Sequence, residues 1–283
     1  MEHKTLFSVI IPLYNKAEYI LKTLSSISSQ SFEEYEVIIV DDGSTDNSVK
    51  KIQQHTQDGR IQIITQKNAG PAAARNTGVR YAESEWVVFM DADDYFLPSA
   101  FETFRSLIEE HPEINYFIAN YYFKMGEQCT LATQQKHHGV VRYPFYWEYL
   151  GILSGRPGTE LIKKSLITQY PFNESYRRYE DAECQYRIIN STIIFQTDIP
   201  VMVIDRDASA AASFRKNIDE DFLGHLEFRG KSFWEQMQLY KLAKEAREGY
   251  GKEAEERYRD IYSNLRYKIM SKVMRFIYKK FYV

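Results

Sequence analysis

Short apolar runs alternate with amphipathic segments along the first hundred residues. The runs share β-branched and aromatic residues and stop at polar turns, and they span residues 7–13, 36–40, 61–65 and 86–90. Apolar residues recur at helical spacing after the first three runs. Unbroken runs of this length are typical of strands buried on both faces of a parallel sheet. The pattern therefore predicts an α/β fold in which helices flank a mixed, mainly parallel sheet.

The pattern changes twice after residue 100. Strand-like runs at residues 114–124, 158–163 and 194–204 alternate with shorter helical segments, which extends the sheet. From residue 216 charged helical patterns dominate. We therefore predict an α/β domain over residues 1–213 and a helical C-terminal extension over residues 214–283.

Composition and charge limit the classes of protein to which this chain can belong. The 283 residues are 44% hydrophobic and 27% charged, and the net charge of −3 gives no reason to expect nucleic-acid binding. Cys129 and Cys184 are far apart and predict reduced thiols. No apolar run has the length needed to cross a bilayer, and the first residues do not resemble a signal peptide. These features predict a cytoplasmic protein.

Acidic residues follow two of the predicted strands. Asp91 and Asp93, with Asp94 beside them, come directly after the run at 86–90. Carboxylates that meet at the carboxyl end of a buried strand repel one another, so a positive group should hold them. Hard oxygen ligands suit Mg²⁺ or Mn²⁺. The alternative is an acidic turn in which Asp94 caps the next helix.

A second acidic pair, Asp41 and Asp42, follows the run at 36–40. A carboxylate only accepts hydrogen bonds, so either residue could receive the imide N–H of a uracil or the hydroxyls of a ribose. Part of this segment is ordinary helix-start chemistry, because Ser44 can cap the following helix. Tyr14 also lies just past a strand end, where it could stack on a flat base or simply pack against a helix.

Further charged residues lie at two helix starts. Arg75 is about one turn into a helix that begins near Gly70 and Pro71, where its guanidinium could reach a phosphate or a carboxylate. The alternative is a surface arginine paired with a neighbouring acid. Glu180 and Asp181 begin another helix, where the macrodipole favours acids. An enzyme that activates an alcohol also needs a positioned carboxylate base.

Four segments, in order, resemble the family 2 glycosyltransferases, which are inverting enzymes with the GT-A (Rossmann-like) fold. The resemblance is detailed over about residues 5–100, is looser to about residue 210, and does not cover the helical extension. The four segments are Phe7-Ser8-Val9-Ile10-Ile11-Pro12-Leu13-Tyr14-Asn15, Val40-Asp41-Asp42-Gly43-Ser44-Thr45-Asp46, Asn68-Ala69-Gly70-Pro71 with Ala74-Arg75-Asn76, and Asp91-Ala92-Asp93-Asp94.

The resemblance implies how the donor is held. Enzymes of this family hold the nucleoside at the positions of Pro12, Tyr14 and Asp42, with Asp41 beside it. Arg75 matches a position near the diphosphate. The resemblance thus implies a nucleotide-sugar site built from the ends of successive strands.

The resemblance also implies a metal site and a general base. In the Asp-x-Asp motif, Asp93 matches the metal ligand, and Asp91 matches the acid that contacts the ribose or the metal shell. Glu180 and Asp181 resemble the family's Glu-Asp pair, in which the Asp is the general base. Glu183 stands in a segment where many members have an aromatic residue, so the acceptor pocket is not carried over.

Taken together, these features predict a metal-dependent inverting glycosyltransferase. The donor would be a nucleotide sugar, with UDP favoured, together with Mn²⁺ or Mg²⁺. The acceptor would be a hydroxyl group of a glycan or lipid-linked acceptor in surface polysaccharide or glycolipid synthesis. A nucleotidyltransferase that makes a nucleotide sugar is one alternative, although no Gly-rich, Lys-bearing loop follows the first strand. A catalytically inactive sugar-binding module is another.

The last predicted helix is basic and aromatic. Between residues 266 and 283, Lys and Arg alternate with Tyr, Ile, Met and Phe. Such a helix could lie peripherally on an anionic membrane, here the inner face. Alternatively, it packs on the catalytic domain or forms a homodimer with a second subunit. The sequence leaves these interpretations open.

Overall fold

Ten strands form one mixed sheet in the computed structural model of the chain, which describes residues 5–134, 136–209 and 217–281. In chain order the strands are β1 (Phe7–Leu13), β2 (Tyr35–Asp41), β3 (Ile61–Thr65), β4 (Trp86–Phe89), β5 (Tyr95–Phe96), β6 (Tyr116–Met125), β7 (Gln128–Leu131), β8 (Gly139–Val141), β9 (Glu160–Lys163) and β10 (Ile194–Asp205).

Helices cover the sheet and continue beyond it. They are α1 (Ile20–Ser28), α2 (Ser48–His55), α3 (Pro71–Tyr81), α4 (Ala100–Glu110), α5 (Pro144–Leu150), α6 (Lys164–Gln169), α7 (Glu180–Ile189), α8 (Arg206–Ser209), α9 (Phe233–Tyr250), α10 (Lys252–Arg257), α11 (Arg259–Ser263) and α12 (Leu265–Phe281). Two short 3-10 helices, Ile218–Glu220 and Phe222–Gly224, precede α9.

The order of the strands is β3-β2-β1-β4-β9-β6-β10-β5, with β7 paired to β6 and β8 paired to β10. Parallel pairing joins β3, β2, β1 and β4 in turn, and also joins β6 to β10. The short β9 lies antiparallel between β4 and β6. The predicted α/β fold with a mixed sheet and flanking helices is confirmed.

Strand β1 is the centre of the core because it is buried on both faces. Side chains alternate across a strand, so Ile10 packs into the cluster on one face, and Val9 and Ile11 pack into the cluster on the other. All three are fully buried. This accounts for the unbroken apolar run, because neither face of the strand meets water.

Helix α3 lies close against β1 because its inner face carries small residues. A Cβ atom added to Gly78 would lie 2.2 Å from the Cγ2 atom of Ile10. Ala72 and Ala74 are likewise buried in the same cluster. The close approach fixes the first turns of α3, and with them Arg75, beside the carboxyl ends of the strands.

The C-terminal helices share the core of the sheet. Leu239, Leu242 and Ala243 of α9 belong to the same buried cluster as Phe145 of α5 and Tyr186 of α7. The predicted helical extension is therefore present, and its first long helix packs on the predicted catalytic domain. The predicted boundary between residues 213 and 214 lies outside the described residues, so it stays a prediction.

Helix α12 packs on α9 through one side. Tyr267, Ser271 and Met274 are buried there, and the Tyr267 hydroxyl donates a hydrogen bond to the Oε1 atom of Gln236 at 3.0 Å. Within the described ranges, no helix combines the length and the apolar character that crossing a membrane requires.

Candidate active site

A cavity of about 1220 Å³ opens at the carboxyl ends of β1, β2 and β4. In open α/β sheets, ligands bind at this edge. Asp42, Asp93 and Asp181, which are far apart in the sequence, share the cavity. The predicted site residues that line it are Pro12, Tyr14, Asp42, Arg75, Asp91, Asp93 and Asp181.

The two acids after β2 have different surroundings. Asp42 lines the cavity, and its carboxylate accepts hydrogen bonds from the Nε2 atom of Gln66 and the backbone N–H groups of Ala69 and Gly70, each at 2.8 Å. Asp41 is buried, is absent from the described cavity lining and accepts from the Ser44 N–H at 3.0 Å. Asp42 therefore shapes the loop before α3, whereas Asp41 closes its own turn. Nucleoside binding by Asp41 stays a prediction, without a cavity contact to support it.

The turn after β1 is tied to the turn after β2 through Asn15. Asn15 adopts a left-handed backbone conformation, with φ of 51°, which Asn tolerates better than most residues. Its side-chain oxygen accepts from the N–H groups of Thr45 and Asp46 at 2.8 and 3.2 Å. Tyr14, directly before it, is 41% exposed at the cavity, so its ring is available to a flat ligand.

Two basic side chains hold the acids of the Asp-x-Asp motif. The Nζ atom of Lys16 lies 2.5 Å from Oδ2 of Asp93, and Nη2 of Arg75 lies 2.9 Å from Oδ1 of Asp91. A positive group was predicted here from the acidic motif, but Lys16 was not identified as that group. The signal was available, because Lys16 follows the Tyr14 turn at the same edge of the sheet.

The third acid of this turn, Asp94, is buried and is hydrogen-bonded to the protein backbone. Its carboxyl group is buried and accepts a hydrogen bond from the Asp205 N–H at 2.9 Å. Burial, together with the charges of Asp91 and Asp93, raises the pKa of Asp94 to about 8. Near neutral pH a protonated Asp94 relieves the repulsion among the three acids.

Arg75 joins the Asp-x-Asp motif to the acidic start of α7. Its Nη2 atom binds Asp91, and its Nη1 atom lies 2.5 Å from Oε1 of Glu180. Burial alone would lower the pKa of the guanidinium, but Asp91, Glu180 and Asp181 raise it above its ordinary value. Arg75 is thus paired with acids, as the alternative interpretation proposed, but it is only 4% exposed and is not a surface residue. Its contact with a diphosphate stays a prediction.

The start of α7 separates the roles of its two acids. Tyr179, the residue before the helix, has a φ of 56°, a conformation that costs energy in a residue with a bulky side chain. Glu180 is buried against Arg75, and burial raises its pKa to about 7 although Arg75 opposes the shift. Asp181 is half-buried and lines the cavity. The neighbouring Glu183 pairs with Arg187 at 2.7 Å and is not among the described lining residues.

The donor set of Asp91 and Asp93 fits a hard divalent cation. Both side chains offer carboxylate oxygens at the cavity, and Mg²⁺ is usually held by one or two carboxylates plus the phosphates of a substrate. Among the described residues, the one group of three potential ligands that lie close together is Glu110, His111 and His138, which is elsewhere. Phosphate oxygens would therefore have to complete the coordination shell.

The family model for glycosyl transferase family 2 matches residues 8–179. The chain belongs to glycosyl transferase family 2. This confirms the predicted family. The matched segment contains every predicted site residue except Asp181, which lies two positions beyond its end.

Curated relatives of the family agree with this assignment. Glycosyltransferase GlyG of Streptococcus pneumoniae serotype 4 is 29% identical over 208 residues, which cover 68% of each chain. The poly(ribitol-phosphate) β-N-acetylglucosaminyltransferase TarS of Staphylococcus aureus is 35% identical over 109 residues, which cover 37% of this chain but 19% of TarS. The chain therefore corresponds to only part of some longer family members.

Solved structures of S. aureus TarS share the fold. TarS 1–349 in complex with UDP-GlcNAc superimposes with a TM-score of 0.69 at 20% identity, covering 93% of this chain and 78% of that chain. A complex with UDP superimposes with a TM-score of 0.63. At this level of identity the likeness concerns the fold.

Beyond the family segment, α9 supplies part of the cavity wall. Gln238, Lys241 and Glu245 of α9 line the cavity, together with Glu148 of α5 and the nearby Arg156. The Lys241 Nζ atom donates to the backbone oxygen of Glu148 at 2.9 Å. This wall was not predicted from the sequence, because nothing in a charged helical pattern signals which cavity the helix reaches.

The same wall contains polar atoms that lack partners. The Oε2 atom of Glu148 and the Oε1 atom of Gln238 are buried, and neither has a hydrogen-bond partner in the described part of the chain. Burial raises the pKa of Glu148 to about 7, although Lys241 and Arg156 oppose the shift. Unpaired buried polar atoms are costly, so their presence beside a cavity indicates a surface built to bind polar groups.

Proposed function

We propose that the chain transfers a sugar from a UDP-sugar to a hydroxyl group of a glycan or lipid-linked glycan, with inversion at the anomeric carbon. The observation that carries the proposal is the meeting of Asp42, Asp93 and Asp181 on one cavity at the carboxyl edge of the sheet. The preference for UDP is supported by the fold neighbour TarS, whose structures contain UDP-GlcNAc and UDP.

The donor occupies the end of the cavity nearest β1 and β2. Tyr14 and Pro12 contact the nucleoside, with Tyr14 offering a stacking face, and Asp42 holds the loop against which the nucleoside rests. The diphosphate lies towards Lys16 and Arg75, whose cationic groups already neutralise the motif acids. Mn²⁺ or Mg²⁺ bound to Asp91 and Asp93 would neutralise the charge that develops on the departing diphosphate.

Asp181 acts as the general base. Its carboxylate takes the proton of the acceptor hydroxyl as that oxygen forms a bond to the anomeric carbon. The bond from the anomeric carbon to the diphosphate oxygen breaks on the opposite face, and UDP leaves with the bonding electrons. One displacement inverts the configuration, and the proton remains on Asp181. Arg75 and Glu180 position the helix start that carries the base.

The acceptor binds against the wall contributed by α5 and α9. Glu148 and Glu245 supply carboxyl groups, Lys241 and Arg156 supply cations, and Gln238 supplies an amide, and all five residues line the cavity. A mixed set of donors and acceptors with little net charge suits the hydroxyl groups of a saccharide. A cavity of about 1220 Å³ exceeds the usual volume for a single small ligand, which leaves room for both substrates.

The donor assignment is tested by slow hydrolysis of a panel of nucleotide sugars with Mn²⁺. We expect one UDP-sugar to bind with a thermal shift and to release UDP, and we expect chelation of the metal to abolish both effects. Asp93→Ala should weaken metal-dependent UDP binding, whereas Asp207→Ala, an exposed acid away from the cavity lining, should not.

Each alternative function gives a different result in this experiment. Release of pyrophosphate instead of UDP would identify a nucleotidyltransferase. Binding without any release, even with acceptors present, would identify an inactive binding module. UDP binding that is unchanged in Asp93→Ala would contradict the ligand assignment.

A further inference from the structure

The last helix, α12, has one side packed on α9 and an opposite side exposed to solvent. Its buried side is fixed by contacts to α9: Tyr267 stacks on Tyr240 with ring centroids 5.3 Å apart, and the Lys244 Nζ atom donates to Ser271 Oγ at 3.2 Å. Because these contacts orient the helix, the residues on its opposite side point away from the protein.

The exposed side carries a stripe of large apolar side chains. Leu265, Ile269, Val273 and Phe276 are spaced three or four residues apart, so they lie along one side of the helix. They are between 40% and 67% exposed. Only eleven large apolar residues are exposed in the described part of the chain, and four of them belong to this stripe. Such a concentration marks an interaction surface.

The charge of α12 is entirely positive. The helix contains six Lys and Arg residues and no Asp or Glu, although the whole chain has a net charge of −3. Of these six, Arg266, Lys268 and Lys272 are exposed next to the stripe, while the side chains of residues 275 and 277–281 lie outside the described part. The partner of this surface should therefore be apolar at its centre and anionic around it.

We propose that α12 docks on a membrane surface rich in anionic lipids, with its axis in the plane of the interface. The apolar stripe would enter the boundary between headgroups and acyl chains, and Arg266, Lys268 and Lys272 would contact lipid phosphates. A second copy of the chain fits less well, because a two-fold interface brings the same patch of each subunit together and would oppose two purely basic helices. The proposal does not depend on the transfer reaction.

Vesicle co-sedimentation of the full chain tests the proposal. We expect binding to vesicles of equal parts phosphatidylglycerol and phosphatidylcholine, and little binding to phosphatidylcholine alone. High salt should weaken binding, because it screens the exposed charges. The double variant Ile269→Glu with Phe276→Glu should lower the partition coefficient by more than about tenfold. The matched control is Ile193→Glu, at an apolar residue that is 56% exposed in the loop before β10, and it should bind like the original chain.

A second variant separates charge from apolar insertion. Lys268→Glu with Lys272→Glu should lower the partition coefficient for the anionic vesicles by about 25-fold or more, because each juxtamembrane charge is worth roughly fivefold. All these positions are exposed, so the unfolding temperature should stay within a few degrees of the original, which confirms folding.

Three results would overturn the proposal. The first is failure of the original chain to bind the anionic vesicles. The second is binding that neither double variant nor salt reduces. The third is a dimer, seen by sedimentation equilibrium, that Ile269→Glu with Phe276→Glu dissociates while vesicle binding is absent, since a second copy would then cover the stripe.

Discussion

The two ends of the cavity are built in different ways. The end that we propose for the donor, called the donor end, is made of turns that directly follow β1, β2 and β4, so Tyr14, Asp42 and Asp91 each lie within a few residues of a strand end. The end that we propose for the acceptor, called the acceptor end, is made of Arg156 and side chains from α5 and α9, and these two helices reach the cavity only because they pack together. The donor end therefore depends on local turn chemistry, and the acceptor end depends on tertiary packing.

Arg75 and Asp181 lie where these two ends meet. Arg75 pairs with Asp91 of the donor end and with Glu180, the neighbour of Asp181. A variant at this junction should lower the turnover number for transfer, whereas a variant within one end should change only the binding or the stability of that end.

The largest effect is expected from Asp181→Asn. The amide cannot take a proton from the acceptor, so the turnover number for transfer should fall by about 10²–10⁴-fold, while UDP-sugar affinity changes little. Steady-state kinetics and a donor binding isotherm measure the two quantities. Glu183→Gln, on the same helix but paired with Arg187, is the control and should retain most activity. Parallel loss of binding and turnover in Asp181→Asn would argue against the base.

Glu160→Gln should change how stability depends on pH. Burial raises the pKa of Glu160 to about 7, and its Oε1 atom accepts hydrogen bonds from Tyr116 and Gln185, which a Gln oxygen can also accept. The protonated carboxyl adds to the free energy of unfolding. This contribution is fully present below the pKa that Glu160 has in the unfolded chain, and it is lost as pH rises through the folded-state pKa of about 7. Between pH 5 and pH 8 the free energy of unfolding of the original chain should therefore fall by up to about 3 kcal/mol relative to that of the variant.

The measurement for Glu160 is urea unfolding at both pH values. Comparing the two chains at each pH separates Glu160 from Asp94, whose raised pKa comes from its own burial and its neighbouring acids. The Glu160 charge helps to raise the pKa of Glu148, so the difference between the chains also contains that coupling. An identical pH slope in the two chains would show that Glu160 is ionised in the folded state throughout this range.

Asp42→Asn should destabilise the donor end by about 1–3 kcal/mol. The carboxylate accepts three hydrogen bonds, and the amide would turn an N–H₂ group towards at least one of the donors. Rotation of the Gln66 amide cannot compensate without losing the Thr77 hydroxyl, which donates to Gln66 Oε1 at 2.7 Å. Urea unfolding of Asp42→Asn and of Asp41→Asn makes the comparison, since Asp41 accepts one such bond, from Ser44. Equal losses would mean that burial and not hydrogen bonding sets the cost.

The smallest effect is expected at the acceptor end. Gln238→Leu removes a buried oxygen that has no partner in the described part of the chain, so it should not destabilise the protein. With the saccharide that best accelerates UDP release, its KM should rise about tenfold, while donor hydrolysis by water stays the same. Initial rates with and without the saccharide distinguish the two. A rise in the donor KM instead would place Gln238 at the donor end.

The sequence predicted which residues meet at the proposed donor end, because their signals are local. The bounds of β1 and β3 were predicted to the residue, since unbroken apolar runs define them, and each acid was placed by the strand before it. The orientation of Asp41 could not be predicted, because the turn geometry decides which of two adjacent carboxylates reaches the cavity. β5 was not predicted, because a strand of two residues is too short to show a period.

The acceptor end could not be predicted for a different reason. Glu148 and Glu245 come from helices that are separated by almost a hundred residues, and their meeting depends on packing that no short pattern encodes. Lys16 is an intermediate case: its position beside a strand end was visible, but its ion pair with Asp93 spans 77 residues.

Because α9 contributes to both the core and the cavity lining, we expect the family segment alone not to form an active enzyme. Truncation of the chain after residue 179 would remove Leu239 and Leu242 from the core and would expose the apolar side chain of Phe145 to solvent. Exchanging the proposed donor-binding turns between relatives should therefore be easier than transferring an acceptor preference. The latter would require moving a whole helix together with the residues on which it packs.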